Sequence, residues 1–166
     1  MSDSALRAAL ERELGRLDHF SGGSVERIER LSGGASRQTY AVMLAGGPID
    51  AALLQGRRPG SLDAALDFPA EAGLVRAAAA RGVPVAEVLA FGPGPFDGAA
   101  LDALEERSWM LSSFVAGETI ARRILRDDPF GEARQVLVPQ MGHALAGIHQ
   151  VPAGDAPSLR PSGPVQ

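Results

Sequence analysis

Three groups of residues in this sequence could do chemistry. The run Ser32-Gly33-Gly34-Ala35-Ser36 joins two strand-like stretches. Its glycines let successive backbone N–H groups turn into one concavity, and Ser36 adds a hydroxyl; such a nest can hold phosphate oxygens. A glycine-rich hairpin turn uses the same residues and is the commoner reading. The run is not GxxxxGK[ST] and no helix follows it, so neither a P-loop nor a dinucleotide fingerprint is supported. Glu71 stands near the start of a helical stretch, where a carboxylate favours the positive end of the helix. Gln55, Arg57 and Arg58 close a strand-like run, as ligand-facing groups or as a solvated strand end.

Other chemistries are excluded or unsupported. The chain has no cysteine and no lysine: all 16 basic residues are Arg. Thiolate and disulfide chemistry, Schiff bases and a P-loop lysine are therefore absent. His143 and His149 lie six apart, whereas a helical metal pair wants i,i+4. His19 has no evident partner, and no Ser-His-Asp set can be assembled. With 16 basic against 20 acidic residues the net charge is −4, which argues against a nucleic-acid surface. No apolar run is long enough to span a membrane, and the first residues lack the apolar core of a signal peptide. The expected location is cytoplasmic.

The elements that must position these residues follow from periodicity. A 166-residue chain suits one domain. Leu6, Leu10, Leu14 and Leu17 repeat at helical spacing over Ser4–Leu17. Val25–Leu31, Thr39–Leu44 and Ile49–Gln55 read as three strands joined by short glycine turns, a meander. Pro69–Arg81 reads as a helix stopped by Gly82. Val85–Phe91 and Ser108–Val115 are a fourth and a fifth strand, the latter apolar on both faces. Ala99–Arg107, Glu118–Arg126 and Glu132–Val151 read as helices, and the Pro/Ser/Gly-rich residues from Pro152 onward as a frayed tail. The order predicts an α+β fold with a five-stranded, mostly antiparallel sheet and a helix packed on it.

Taken in order, the stretches IERLSGGASRQTYAVML, AALLQGRRPGS, EAGLVRAAAARGVPVAEVLAFG, SWMLSSFVAGETIARRIL and MGHALAGIHQV resemble the N-terminal lobe of the aminoglycoside phosphotransferase/choline kinase-like family, which has the protein-kinase-like fold. The resemblance covers about Val25–Val151. It implies an N-terminal helix over 1–20, a kinase-like N-lobe over 21–116, the helical start of a C-lobe over 117–151 and a flexible tail over 152–166. It implies ATP and Mg²⁺ as cofactors and a small-molecule hydroxyl as phosphoryl acceptor. Gly33, Gly34, Ala35 and Ser36 would cover the ATP phosphates. The third strand would present a side chain to the α/β-phosphates, held by Glu71; Gln55 falls at that position, with Arg57 or Arg58 available after a shift. Backbone groups of Ser113 and Val115 would meet the adenine edge, and Leu31, Val42 and Leu111 would sandwich the base.

The sequence departs from the family pattern at two points of consequence: the third-strand position expected to carry Lys or Arg holds Gln55, and the catalytic loop differs. The family's catalytic loop reads His-Gly-Asp followed by Asn, and a metal-binding Asp comes later. Here His143 is followed by Ala144, and His149 by Gln150. The expectation is a fragment that carries the nucleotide-binding lobe, binds ATP weakly and is inactive by itself. The alternative is a non-catalytic interaction module. Self-association or a partner chain bearing a C-lobe is expected to cover Met110, Leu111, Phe114, Ile120, Leu145 and Ile148.

Overall fold

The computed structural model describes residues 3–17, 20, 22–31, 37–57, 66–92 and 108–155. Helix α1 (Asp3–Leu14) forms because Leu6, Leu10 and Leu14 recur every fourth residue and give one apolar stripe. All three are buried to 2% exposure or less. The stripe lies on one face of a five-stranded sheet built from β1 (Ser24–Leu31), β2 (Arg37–Ala45), β3 (Ala51–Arg57), β4 (Val88–Gly92) and β5 (Trp109–Ser113). The strand order is β1-β2-β3-β5-β4, and every neighbouring pair is antiparallel.

Alternation along the strands decides which side chains meet which helix. Tyr40, Val42 and Leu44 of β2, Ala52 and Leu54 of β3, and Trp109 and Leu111 of β5 join Leu6, Leu10, Leu14 and Phe20 in one core under α1. Gln38 sits on the same side and is buried, its carbonyl oxygen accepting from the Tyr40 hydroxyl at 2.9 Å. A bulge in β1 between Val25 and Arg27 is tied to the helix: Arg7 donates to the Glu26 carbonyl at 2.9 Å, and the Val25 N–H donates to Glu11 Oε1. The β2–β3 turn needs Gly46, whose φ of +75° is left-handed backbone that glycine adopts without strain.

The intervening residues face the other side. There α2 (Phe68–Ala79) lies over β4 and β5. Phe68 and Ala72 pack with Val88 and Met110 in a second, smaller core. Asp67 caps the helix by accepting from the Ala70 N–H. Gly82, at φ +76°, turns the chain out of the helix as the sequence predicts.

After β5 come α3 (Ala121–Arg126), a 3-10 turn at Asp128–Phe130 and α4 (Gly131–His149). Arg134 holds them together by donating to the Ile124 carbonyl at 3.0 Å and the Asp127 carbonyl at 2.8 Å. The far end of α4 docks at Gly147, where a Cβ would stand 2.7 Å from Val83 Cγ2.

The α+β class and the five-stranded antiparallel sheet are as the sequence implies. Several boundaries move for physical reasons. The fourth strand begins at Val88 rather than Val85, because Pro84 brings no N–H to a ladder and Val85 is exposed. The fifth ends at Ser113 rather than Val115, where the chain leaves the sheet and Val115 is 70% exposed. Helix α3 begins at Ala121 rather than Glu118, since the Glu118 side chain turns back onto the N–H groups of Thr119 and Ile120. Met110 and Leu111, expected to lack cover, are buried, whereas Phe114, Ile120, Leu145 and Ile148 are exposed. The expected helix Ala99–Arg107, the Gly33–Ser36 turn and the tail beyond Asp155 lie outside the described residues. Among the described residues no helix is long and apolar enough to cross a membrane.

Candidate functional site

Thr39 is paired with Gln55, Ala41 with Leu53, Leu53 with Ser112, and Gln55 with Met110. Met110 belongs to the α2 core, so this set faces the α2 side. Gln55 is half-buried there between Thr39 and Met110. Leu31, opposite Thr39 in β1, stands at the same edge and is 36% exposed.

Glu71 lies in the first turn of α2 and is held by a partner that sequence reasoning missed. Arg37, the first residue of β2, donates from Nη1 to Glu71 Oε1 at 2.9 Å and from Nη2 to Oε2 at 2.7 Å. Two parallel charge-assisted bonds of this kind fix the guanidinium plane as well as its position. The same guanidinium lies 5.1 Å from the centroid of the Phe68 ring, a cation–π distance. Phe68 is buried, and its N–H donates to Ser108 Oγ at 3.1 Å. Arg37 is thus clamped between a helix carboxylate and a core aromatic, at a side-chain exposure of 35% against 24% for Glu71.

The third strand does not supply that partner. Gln55 and Arg37 share a face as diagonal neighbours across the β2–β3 ladder, because Arg37 pairs with Arg57 and Thr39 with Gln55. Such neighbours stand about 7–8 Å apart, within reach of long side chains. Arg58 and the Gly33-Gly34-Ala35-Ser36 run lie outside the described residues. A signal for Arg37 was present: the Tyr40, Val42, Leu44 alternation, run back two residues from Thr39, puts Arg37 on the face opposite the core under α1.

At the other end of the site, the Ser113 N–H donates to the Glu87 carbonyl at 2.8 Å, and Ser113 Oγ accepts from the Glu87 N–H at 2.9 Å. The Phe114 N–H donates to the Ala51 carbonyl at 3.2 Å. Ser113 is therefore committed through its N–H and hydroxyl, and Val115 follows two residues past the strand. Val42 and Leu111 cannot sandwich a ligand on this side: both are fully buried in the core under α1, because they fall on the opposite phase of their strands. Leu31 keeps its place at the α2-side edge.

Beyond Val115, Glu118 organises the entry into α3. Its Oε1 accepts from the N–H groups of Thr119 and Ile120, and its Oε2 from Arg123 at 3.0 Å. The hydrogen bond from Ile120, then that from Arg123, hold its carboxyl below the usual carboxylate range.

The arrangement is a sheet face with an arginine–carboxylate clamp at one end and an exposed strand exit at the other. The family model described as the phosphotransferase enzyme family matches residues 27–164. That span takes in β2 to β5, β1 from Arg27 onward and both ends of the site, and the chain belongs to this family. Neither a curated protein nor a solved structure matches the chain.

Proposed function

We propose that this chain is the nucleotide-binding lobe of an ATP-dependent small-molecule phosphotransferase, and that alone it binds nucleotide weakly without transferring phosphate. The observation that carries the reading is the Arg37–Glu71 clamp on the α2 side of the sheet, within a chain of the phosphotransferase family. Phosphoryl transfer rests on positioning and on neutralising phosphate charge. A cation fixed by a helix carboxylate suits that task.

In this reading the adenine edge meets the Ser113 carbonyl and the Val115 backbone, since the Ser113 N–H is already engaged. Gly33, Gly34, Ala35 and Ser36 cover the phosphates, and Gln55 lines the floor beside Thr39. Mg²⁺, which the resemblance implies, would supply neutralisation of phosphate charge when bound. Because the sequence contains no His-Gly-Asp tripeptide, the lobe alone is assigned binding and not turnover. The phosphoryl acceptor is left to residues outside this site.

Thermal unfolding with and without ATP tests the reading. At 5 mM ATP and a Kd of about 1 mM, mass action adds about 1 kcal/mol, or roughly 2–4 °C in Tm. Inorganic phosphate at equal ionic strength should give less. A parallel assay with aminoglycosides, choline and sugars should show no ATP-dependent product. An unchanged Tm, or turnover that survives purification, contradicts the reading.

One observation favours a second reading, an interaction module. Val138, Met141, Leu145 and Ile148 on α4 are all exposed, Val138 to 75%. Their three- and four-residue spacing is that of a paired-helix seam. An antiparallel pairing of two copies would set Glu132, in the first turn, opposite His149, in the last. Sedimentation velocity should then show a concentration-dependent dimer that Leu145→Glu abolishes; a monomer at high concentration counts against it.

A further inference from the structure

We propose that Arg37, and not a third-strand side chain, is the cation that meets the nucleotide phosphates, with Glu71 as the residue that positions it. The inference rests on the nucleotide-binding reading above and deepens it by assigning the residue that recognises phosphate.

Four observations converge. First, the helix carboxylate that would hold a third-strand cation is already taken: both Glu71 oxygens accept from Arg37. Second, Gln55, at the third-strand position where a cation is expected, carries no charge and is a diagonal neighbour of Arg37, whose direct ladder partner on the third strand is Arg57. Of the described cations on this patch, Arg37 is the one that both Glu71 oxygens accept from. Third, Arg37 directly follows the Ser32–Ser36 run. It is the first residue of β2. Fourth, its geometry leaves it able to act. A guanidinium has five N–H donors; two are engaged with Glu71. The side chain is 35% exposed, so it is reachable from solvent, while Phe68 beneath it restrains its motion. A planar fork with donors left over suits phosphate oxygens better than an ammonium would, and the sequence contains no lysine to compete for the role.

The ion pair would also act as a plain staple between α2 and β2. Phosphate recognition and stapling separate cleanly by ligand. A phosphate ligand contributes to ATP binding and not to adenosine binding; a staple affects both alike.

The test is calorimetric titration of the 166-residue chain with ATP and with adenosine, for wild type, Arg37→Met and Arg37→Gln. The Gln variant keeps a polar side chain of intermediate length should the Met variant fail to fold. Loss of a charge-assisted contact predicts ATP binding weakened roughly 10- to 100-fold, with adenosine affinity unchanged within about twofold. If ATP affinity is unchanged, or if ATP and adenosine weaken together in whichever variant is folded by circular dichroism, Arg37 is not the phosphate ligand. If wild type binds neither ligand, the nucleotide-binding reading itself falls and this inference with it.

Discussion

The clamp between Arg37 and Glu71 makes a quantitative prediction about stability that needs no ligand. Removing the charge at Arg37 (Arg37→Met), the carboxylate at Glu71 (Glu71→Ala) and both together forms a double-mutant cycle. If the pair were fully desolvated, its two charge-assisted bonds, at 2.9 and 2.7 Å, would each be worth about 1.5–3 kcal/mol. A fully exposed pair would give about 0.2–1 kcal/mol. Arg37 and Glu71 lie between these limits, at 35% and 24% exposure. A coupling energy of about 1–2 kcal/mol follows, falling modestly as salt is raised. Arg37→Met should cost more than the coupling alone, because the stacking on Phe68 at 5.1 Å adds about 0.5–1 kcal/mol. The assay is urea unfolding at pH 7, followed by circular dichroism. A coupling below about 0.3 kcal/mol at low salt would refute the reasoning. It would mean that the two side chains do not hold each other in solution and that α2 is seated by the Phe68 core alone.

Leu10→Ala, at a position with no exposure under the sheet, should cost about 2–5 kcal/mol in urea unfolding. Gly92→Ala would place a Cβ 2.7 Å from Trp109 Nε1 and should lower stability by about 1–3 kcal/mol, as overpacking does; a blue- or red-shifted indole emission would report the displaced ring. Gly147→Val would drive a Cβ to within 2.7 Å of Val83 Cγ2 and 3.3 Å of the Arg81 carbonyl, so hydrogen exchange in α4 should quicken while that in β2 and β3 stays as it was. Glu118 titrates below its ordinary value of 4.5 because Ile120 and Arg123 favour the carboxylate. Its stabilising contribution is therefore complete above about pH 4.5 and is lost as pH falls through the lower, folded-state value. A carboxyl-carbon NMR titration should find the depressed pKa, and Glu118→Gln should remove that part of the acid dependence.

The sheet and its two helical covers were legible in the sequence because their signals are local. Leu6, Leu10 and Leu14 carry the helical period, Tyr40, Val42 and Leu44 the strand period, and Gly46 and Gly82 mark places where only an unusual φ completes the turn. The site was legible in part. Glu71 could be placed on α2, but its partner could not be assigned, since Arg37 and Glu71 are 34 residues apart and meet only once β2 and α2 share a face. Beginning β2 at Thr39 hid Arg37 in the preceding turn. A strand begun two residues earlier would have exposed it by alternation. The family resemblance places Val42 and Leu111 at the base. Their phase along β2 and β5, which separates the core under α1 from the α2 side, sends them the other way. Backbone hydrogen bonds leave no mark on residue type, so nothing in the sequence indicated that the Ser113 N–H belongs to Glu87.

The central claim is that nucleotide binds on the α2 side of the sheet, between the Arg37–Glu71 clamp and the strand exit at Val115. Amide chemical-shift mapping with isotope-labelled chain and millimolar ATP tests it most directly. The account predicts shifts that grow with ATP at Arg37, Thr39, Gln55, Glu71 and Val115, while Leu10, Val42 and Leu54 in the core under α1 stay still. Shifts confined to α1 or to α4, or no saturable shift at all, would contradict it.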